Sequence, residues 1–256
     1  MKIQILGAHN IQSDEARCVS ILIDDVLAVD AGTLAASLSF AAQQKIKALL
    51  ITHQHFDHAR DIPALGMNFM LHENCLDVYT IPPAFEALKA HLLNDVLYPD
   101  FTQRPPERPS LRFHMVEPGR EEAIVGYSVL PAGVSHAVPA IGYQVTSPDG
   151  KKVFYSSDTG PGLADCWRKV RPDLLIIEVT ALNKYADFAR ESGHLTPVLL
   201  REELESFIEI NGYLPQVVTV HTNPLDEKGI RAELAVVSKA LNTNIRIGHE
   251  GMRIDL

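Results

Sequence analysis

An apolar run, ALLI at residues 48–51, leads straight into THQHFDH at residues 52–58, so three histidines and an aspartate crowd into six positions. A short apolar run of this kind reads as a strand. Whatever the fold, it must bury that strand and present the polar cluster at its end. Neutral imidazole and carboxylate are suitable zinc ligands, and a strand ending just ahead of them holds them on a rigid edge. In an extended or tightly turned segment His53 and His55 point the same way, while Asp57 and His58 swing round after them. Chance clustering or helix capping is the alternative, but spacing, ligand types and the preceding strand agree on metal.

The rest of the composition narrows the class. With 256 residues and 46% apolar content the chain can bury a substantial core without a stapling device. No stretch of about 18 or more uninterrupted apolar residues occurs, and the N-terminus lacks the pattern of a signal peptide. A cytoplasmic protein with no membrane partner is the expectation. Cys18, Cys75 and Cys166 are widely spaced and form no C-x-x-C pair, so buried thiols are expected rather than a disulfide framework or a cysteine zinc site. A net charge of −9 disfavours extensive nucleic-acid binding and favours a small substrate.

Along the chain, short strand-like runs dominate early in each half and alternate with helical patterns later. KIQIL, CVSILI, VLAV and ALLI are the first strands, with a helix-like stretch at residues 33–44; a helical pattern from Ile62, the strand DVYTI and a helix over residues 84–97 follow. YPDFTQRPPERP is a loop. The second half supplies LRFHMV, EAIV, YSVLPA, IGYQVTS and KKVFYSS as strands, with SPDGKK as a hairpin turn. Helices over LADCWRKV, PVLLREELESFIEIN and GIRAELAVVSKAL then precede LLIIEV, QVVTV and NIRIG, and MRIDL closes the chain. This is the rhythm of a layered α/β domain with helices outside and sheets inside.

Here the residues resemble a family. His53, His55, Asp57 and His58 match the H-x-H-x-D-H hallmark of the metallo-β-lactamase superfamily, and further motifs extend the resemblance over nearly the whole chain. LAVDAG, with Asp30, looks like the first motif; SHAVPAIGY supplies His136, FYSSDTG supplies Asp158 and VVTVHTNP supplies His221. The resemblance implies a four-layer αββα sandwich, one domain over residues 1–256, with two zinc ions at one edge of the sheets. One ion would take His53, His55 and His136; the other would take Asp57, His58 and His221; Asp158 and a hydroxide would bridge them. Asp30 would stand behind the ligands and orient them. Manganese or iron suit the same oxygen- and nitrogen-rich pocket. Two ions about 3.5–4 Å apart lower the pKa of a shared water toward about 7 and clamp an oxyanion.

Two further features resemble the phosphodiesterase branch shared by ribonuclease Z and class II cyclic-nucleotide phosphodiesterases. IIEVT carries Glu178 and ESGHLTP carries His194. The resemblance gives His194 the proton-donor or charge-stabilising role at the leaving oxygen, Glu178 the task of orienting it, and Asp57 a place with them among the catalytic groups. The plainer alternative makes Glu178 a strand-end surface acid and His194 part of an N-cap region, with Thr196 capping the helix that Pro197 begins. Against ribonuclease Z, only a short hairpin joins His136 to Asp158 where that family carries a glycine- and lysine-rich arm, and HTNPLD replaces its H-x-S-x-R-Y pattern. The cyclic-nucleotide signature is also imperfect, since Phe56 stands where leucine is usual.

Residues 68–109 would form an insert lying over the metals and shaping specificity through Tyr79, Phe85, Tyr98 or Phe101, with core or homodimer packing as the plainer role of each. GHEGMRIDL resembles the closing segment of the family and places His249 behind the ligands. His9, His72, His91 and His114 fall outside every motif and read as surface or satisfied core groups. The functional expectation is a cytoplasmic binuclear metal hydrolase acting on a small or cyclic nucleotide-like phosphodiester. An RNA 3′-processing nuclease, a thioester or lactone hydrolase, and a non-enzymatic metal-binding protein are the rivals.

Overall fold

The computed structural model describes residues 1–256. Six strands, β1 (Lys2–Gly7), β2 (Ser20–Ile23), β3 (Leu27–Val29), β4 (Ala48–Leu50), β5 (Leu76–Thr80) and β6 (Leu111–Met115), lie side by side in chain order in one sheet. The next seven, β7 (Glu122–Ile124), β8 (Tyr127–Gly133), β9 (Ile141–Thr146), β10 (Lys152–Tyr155), β11 (Leu174–Glu178), β12 (Gln216–Val220) and β13 (Ile245–Ile247), form the second. The last strand, β14 (Arg253–Asp255), returns to pair antiparallel with β1.

Both sheets change character at the same point. β1 to β3 and β7 to β10 are antiparallel meanders, whereas β3 to β6 and β10 to β13 are parallel. Parallel neighbours need crossovers, normally helical. The first sheet uses α1 (Leu34–Ser37), α2 (Phe40–Gln43), α3 (Phe56–Ala59), α4 (Ile62–Leu71) and α5 (Pro82–His91). The second uses α6 (Ala164–Trp167), α7 (Ala186–Ser192), α8 (Pro197–Asn211) and α9 (Glu227–Ala240).

Side-chain alternation then builds three apolar layers. In β11, Leu174 and Ile176, with Val145 of the same sheet, face the other sheet, where they join Ile5, Ile21 and Leu50, while Leu175 and Ile177 face the helices. A strand buried on both faces is apolar throughout, as LLIIE nearly is. On α8, Leu200, Leu204 and Phe207 recur at helical spacing, as do Ile230, Leu234 and Val237 on α9, and both stripes close on that face. A third cluster joins Leu49 and Val78 to Leu65, Phe69 and Leu88 on the outer face of the first sheet. The result is the αββα sandwich.

Several local expectations are corrected. The single helix over residues 33–44 is two short ones, because Gln43 turns back and donates its side-chain amide to the Ala35 and Leu38 carbonyls. Asp61 accepts from the Ala35 and Ala36 N–H groups at the start of α1, and Ser39 accepts from Ala42 at the start of α2. The helix expected over residues 84–97 starts at Pro82 and stops at His91. Residues 68–109 carry the end of α4, strand β5 of the first sheet and helix α5, and Phe101 is fully buried in the outer core. Cys18 and Cys166 are buried, but Cys75 is only half-buried. No helix is long and apolar enough to cross a membrane.

Candidate metal centre

The site is assembled where strands run out. Asp30 follows β3, His53 and His55 follow β4, His136 follows β8, Asp158 follows β10, Glu178 ends β11 and His221 follows β12. Within their sheets these strands share a direction, so their C-terminal ends gather at one edge of the sandwich, the usual place for a site in parallel sheets. Asp30, Ser157 and His221 adopt left-handed backbone with φ of 56°, 62° and 61°. For residues other than glycine such conformations cost on the order of 1–3 kcal/mol each and cluster at functional sites. Each turns the chain sharply just as a strand ends.

All seven residues singled out from the sequence as ligands converge. Ligand atoms of His53, His55, His136 and Asp158 lie within 4.8 Å of one another, and so do those of Asp57, His58, Asp158 and His221. Asp158 belongs to both groups. His136 Nε2 is 3.1 Å from His55 Nδ1, and Asp158 Oδ2 is 3.9 Å from both His53 Nε2 and His136 Nε2. On the other side His221 Nε2 is 3.1 Å from Asp57 Oδ2 and 3.2 Å from Asp158 Oδ2. His58 Nε2 is 3.1 Å from Asp158 Oδ1.

The donor set fits a metal. His53 Nε2, His58 Nε2 and Asp158 Oδ1 are buried without a hydrogen-bond partner. Orphaned polar atoms are expensive in a protein interior and call for an explanation. Three buried orphans gathered in one cluster are what a cation would satisfy. Burial pushes His53 well down, and His55 and His136 are held down by burial as well, which keeps these imidazoles neutral and their lone pairs free. Burial disfavours charge on Asp57 and Asp158, yet the surrounding histidines outweigh it and hold both carboxyls well below the usual range. His58 is pushed up against its burial by Asp158 and Asp30, so the pocket demands positive charge.

Behind the ligands, buried acids fix ring orientation, as metal-binding histidines require. Asp30 Oδ2 lies 2.8 Å from His58 Nδ1, and Asp30 also accepts from the Thr52 N–H and hydroxyl, each at 3.0 Å. The Gly193 carbonyl accepts from His136 Nδ1 at 2.9 Å. Tyr143 donates to the Ile51 carbonyl and anchors the chain just ahead of the histidines.

Glu178 is no surface acid: it has no exposed surface. Its carboxylate accepts from the Thr159 N–H at 2.9 Å and the Leu195 N–H at 3.1 Å, and lies 2.7 Å from His194 Nδ1. Burial opposes charge on His194, but Glu178 outweighs it and pushes the ring up to about 9. The His194 ring stacks on His221 with centroids 5.5 Å apart and planes at 14°. Thr196 takes the N-cap position of α8, but its hydroxyl makes no cap bond.

His249 is not brought to the cluster. It is exposed, with Nδ1 3.1 Å from the Glu250 carbonyl, and the neighbouring Glu250 turns inward instead, 2.7 Å from His9 Nδ1. His9 is thereby a buried, satisfied group. Thr52 and Thr180 were not singled out from the sequence, although each touches both a buried acid and a ligand ring. The available signal was position: Thr52 directly precedes His53, and Thr180 follows Glu178 by two residues, on the same face of an extended segment.

Residues 20–221 match the family model described as a beta-lactamase superfamily domain. Yeast PDE1 is similar in structure, with TM-score 0.86 at 18% identity over 100% of this chain and 99% of that one. YhfI of Bacillus subtilis, a metallo-beta-lactamase fold protein, gives 0.79 at 17% identity, covering 99% and 98%. The short form of human tRNase Z gives 0.69 at 18%, covering 100% and 99%. No curated protein matches the sequence. The family match across most of the chain, on an αββα sandwich whose strand ends carry these motifs, shows that the chain belongs to the metallo-β-lactamase superfamily of hydrolases, in a fold it shares with yeast PDE1 and human tRNase Z.

Proposed function

We propose that this protein is a binuclear metal-dependent phosphodiesterase acting on a small or cyclic nucleotide-like phosphodiester. The observation that carries the reading is the Glu178–His194 pair beside the ligand cluster. The oxygen leaving a phosphodiester must be protonated or otherwise stabilised. His194, gripped at Nδ1 and stacked on His221, has Nε2 without a protein partner and is suited to give that help. Yeast PDE1 and human tRNase Z share the fold, which supports the phosphodiester class.

In this reading His53, His55 and His136 would hold one ion, Asp57, His58 and His221 would hold the other, and Asp158 would serve both. When bound, such a pair supplies Lewis acidity that activates water near neutral pH and offsets charge on phosphoryl oxygens. The chain does the rest. Asp30 and the Gly193 carbonyl keep His58 and His136 facing the centre. Glu178, itself clamped by two backbone N–H groups, holds His194 so that its Nε2 proton is presented to the leaving oxygen. Between His136 and Asp158 the chain makes only the β9–β10 hairpin, closed by the Ser147–Lys151 backbone bond, with no arm to grip a long RNA.

A zinc- or manganese-loaded sample assayed on bis(p-nitrophenyl) phosphate, cyclic nucleotides, precursor transfer RNA, thioesters and lactones tests the reading. Turnover of the small diesters is expected. RNA cleavage with steep salt dependence in their place would transfer the assignment to RNase Z-like processing, and turnover of carbonyl substrates alone would overturn it.

A further inference from the structure

The two buried acids of the site are wired alike. Asp30 lies 2.8 Å from His58 Nδ1 and accepts from the Thr52 hydroxyl at 3.0 Å; that hydroxyl is in turn 3.0 Å from His53 Nδ1. Glu178 lies 2.7 Å from His194 Nδ1 and accepts from the Thr180 hydroxyl at 2.7 Å; that hydroxyl is 2.8 Å from His221 Nδ1. Each carboxylate, one per sheet, therefore grips one imidazole directly and a second through a threonine.

Proton counting fixes the direction of each relay. A hydroxyl has one proton to give, and an ionised carboxylate can only accept. The threonine proton therefore points at the acid, and the hydroxyl oxygen accepts from the ring N–H. Nδ1 carries the proton and Nε2 keeps its lone pair. From these contacts we infer that Thr52 and Thr180 are positioning residues that lock His53 and His221 in the tautomer able to bind a metal through Nε2. The inference rests on reading the cluster as a metal centre.

The lock matters most at His221. Its Nε2 faces Asp57 Oδ2 at 3.1 Å and Asp158 Oδ2 at 3.2 Å. With the proton on Nε2 instead, the ring would donate to Asp57 and cap the very nitrogen a metal needs. Thr180 is the hydrogen-bond partner that holds the proton on the far side, since Nδ1 of His221 has no other. His53 Nδ1 has a fallback, because the Ser157 hydroxyl lies 3.3 Å away. The two threonines should therefore differ in weight.

The test is retention of zinc by the full-length, zinc-loaded protein dialysed against graded chelator, together with the histidine tautomer pattern in its ¹⁵N spectrum. Wild type should hold two ions. Thr180→Val should release one of them at about 10–100-fold lower chelator concentration, the usual effect of losing a partner behind a ligand, with the His221 signal moving toward the Nε2–H form. Thr52→Val should show a smaller effect, and Thr180→Ser, which keeps the hydroxyl, should retain both ions. Unchanged retention and an unchanged tautomer in Thr180→Val would overturn the inference. Loss of an ion from Thr180→Ser as well would overturn it too, by assigning the role to methyl packing. A wild type that holds no zinc would instead remove the metal reading itself, before any variant is compared.

Discussion

Glu178 Oε1 lies 2.7 Å from His194 Nδ1, a contact between a fully buried strand-end acid and a histidine sixteen positions later in the loop before α8. His194 joins neither of the two four-residue groups that include Asp158. Replacing it by alanine should therefore leave metal content unchanged while lowering diester turnover by a factor of about 100 or more. Metal analysis beside kcat measurements checks this, and parallel loss of metal and turnover would speak against it.

Glu178→Gln should be worse than its small chemical change suggests. Both carboxylate oxygens accept backbone N–H groups, from Thr159 and Leu195. An amide can offer only one acceptor, so one buried N–H would face another donor. The expected cost is about 1–3 kcal/mol, read as a lower denaturation midpoint, with reduced kcat because the loops carrying Asp158 and His194 lose their shared anchor.

Gly32 leaves no space for a side chain. A Cβ there would sit 2.0 Å from the Asp57 carbonyl oxygen and 2.7 Å from that of Val19. Because these are backbone atoms, relief requires moving the His53–His58 loop itself. Gly32→Ala should cost about 1–3 kcal/mol by overpacking and should also weaken metal retention. A stability loss with metal retention intact would separate the glycine from the site.

The His9–Glu250 pair sets a pH window for stability. Burial raises Glu250, but the His9 hydrogen bond and the Arg17 N–H outweigh it and hold the carboxyl at about 2, below its usual 4.5. His9 is raised from 6.5: burial opposes its charge, and Glu250 and Glu227 overcome that. A lowered acid contributes stability above its unfolded pKa and loses it as pH falls toward the folded value; a raised histidine contributes below 6.5 and loses it as pH rises. The pair therefore contributes most between about pH 4.5 and 6.5. Glu250→Gln should flatten the acid limb, removing on the order of 1–2 kcal/mol of the wild-type loss between pH 5.5 and 2.5. Urea midpoints at the two pH values measure it.

What the sequence made legible follows physical range. Runs such as LLIIE announce strands because apolar burial on both faces leaves no polar position to alternate, and the metal motifs are readable because ligand chemistry tolerates few residue types. The break in the helix expected at residues 33–44 was hidden, since it depends on where the Gln43 amide turns in three dimensions. So was the exchange between His249 and Glu250. Which of two adjacent polar residues faces inward at a bend is decided by a partner, His9, 241 positions away. The burial of Glu178 was settled by parity, because Leu174, Ile176 and Glu178 point to the same face of β11, while its four partners come from three separate loops.

The central claim is that seven side chains from both sheets hold two divalent ions. Counting zinc per chain by elemental mass spectrometry, after reconstitution and removal of loosely bound metal, tests it most directly. Two ions per wild-type chain are predicted, with one remaining in His55→Ala and none in Asp158→Ala. A folded wild-type chain that retains no zinc, manganese or iron would contradict the account.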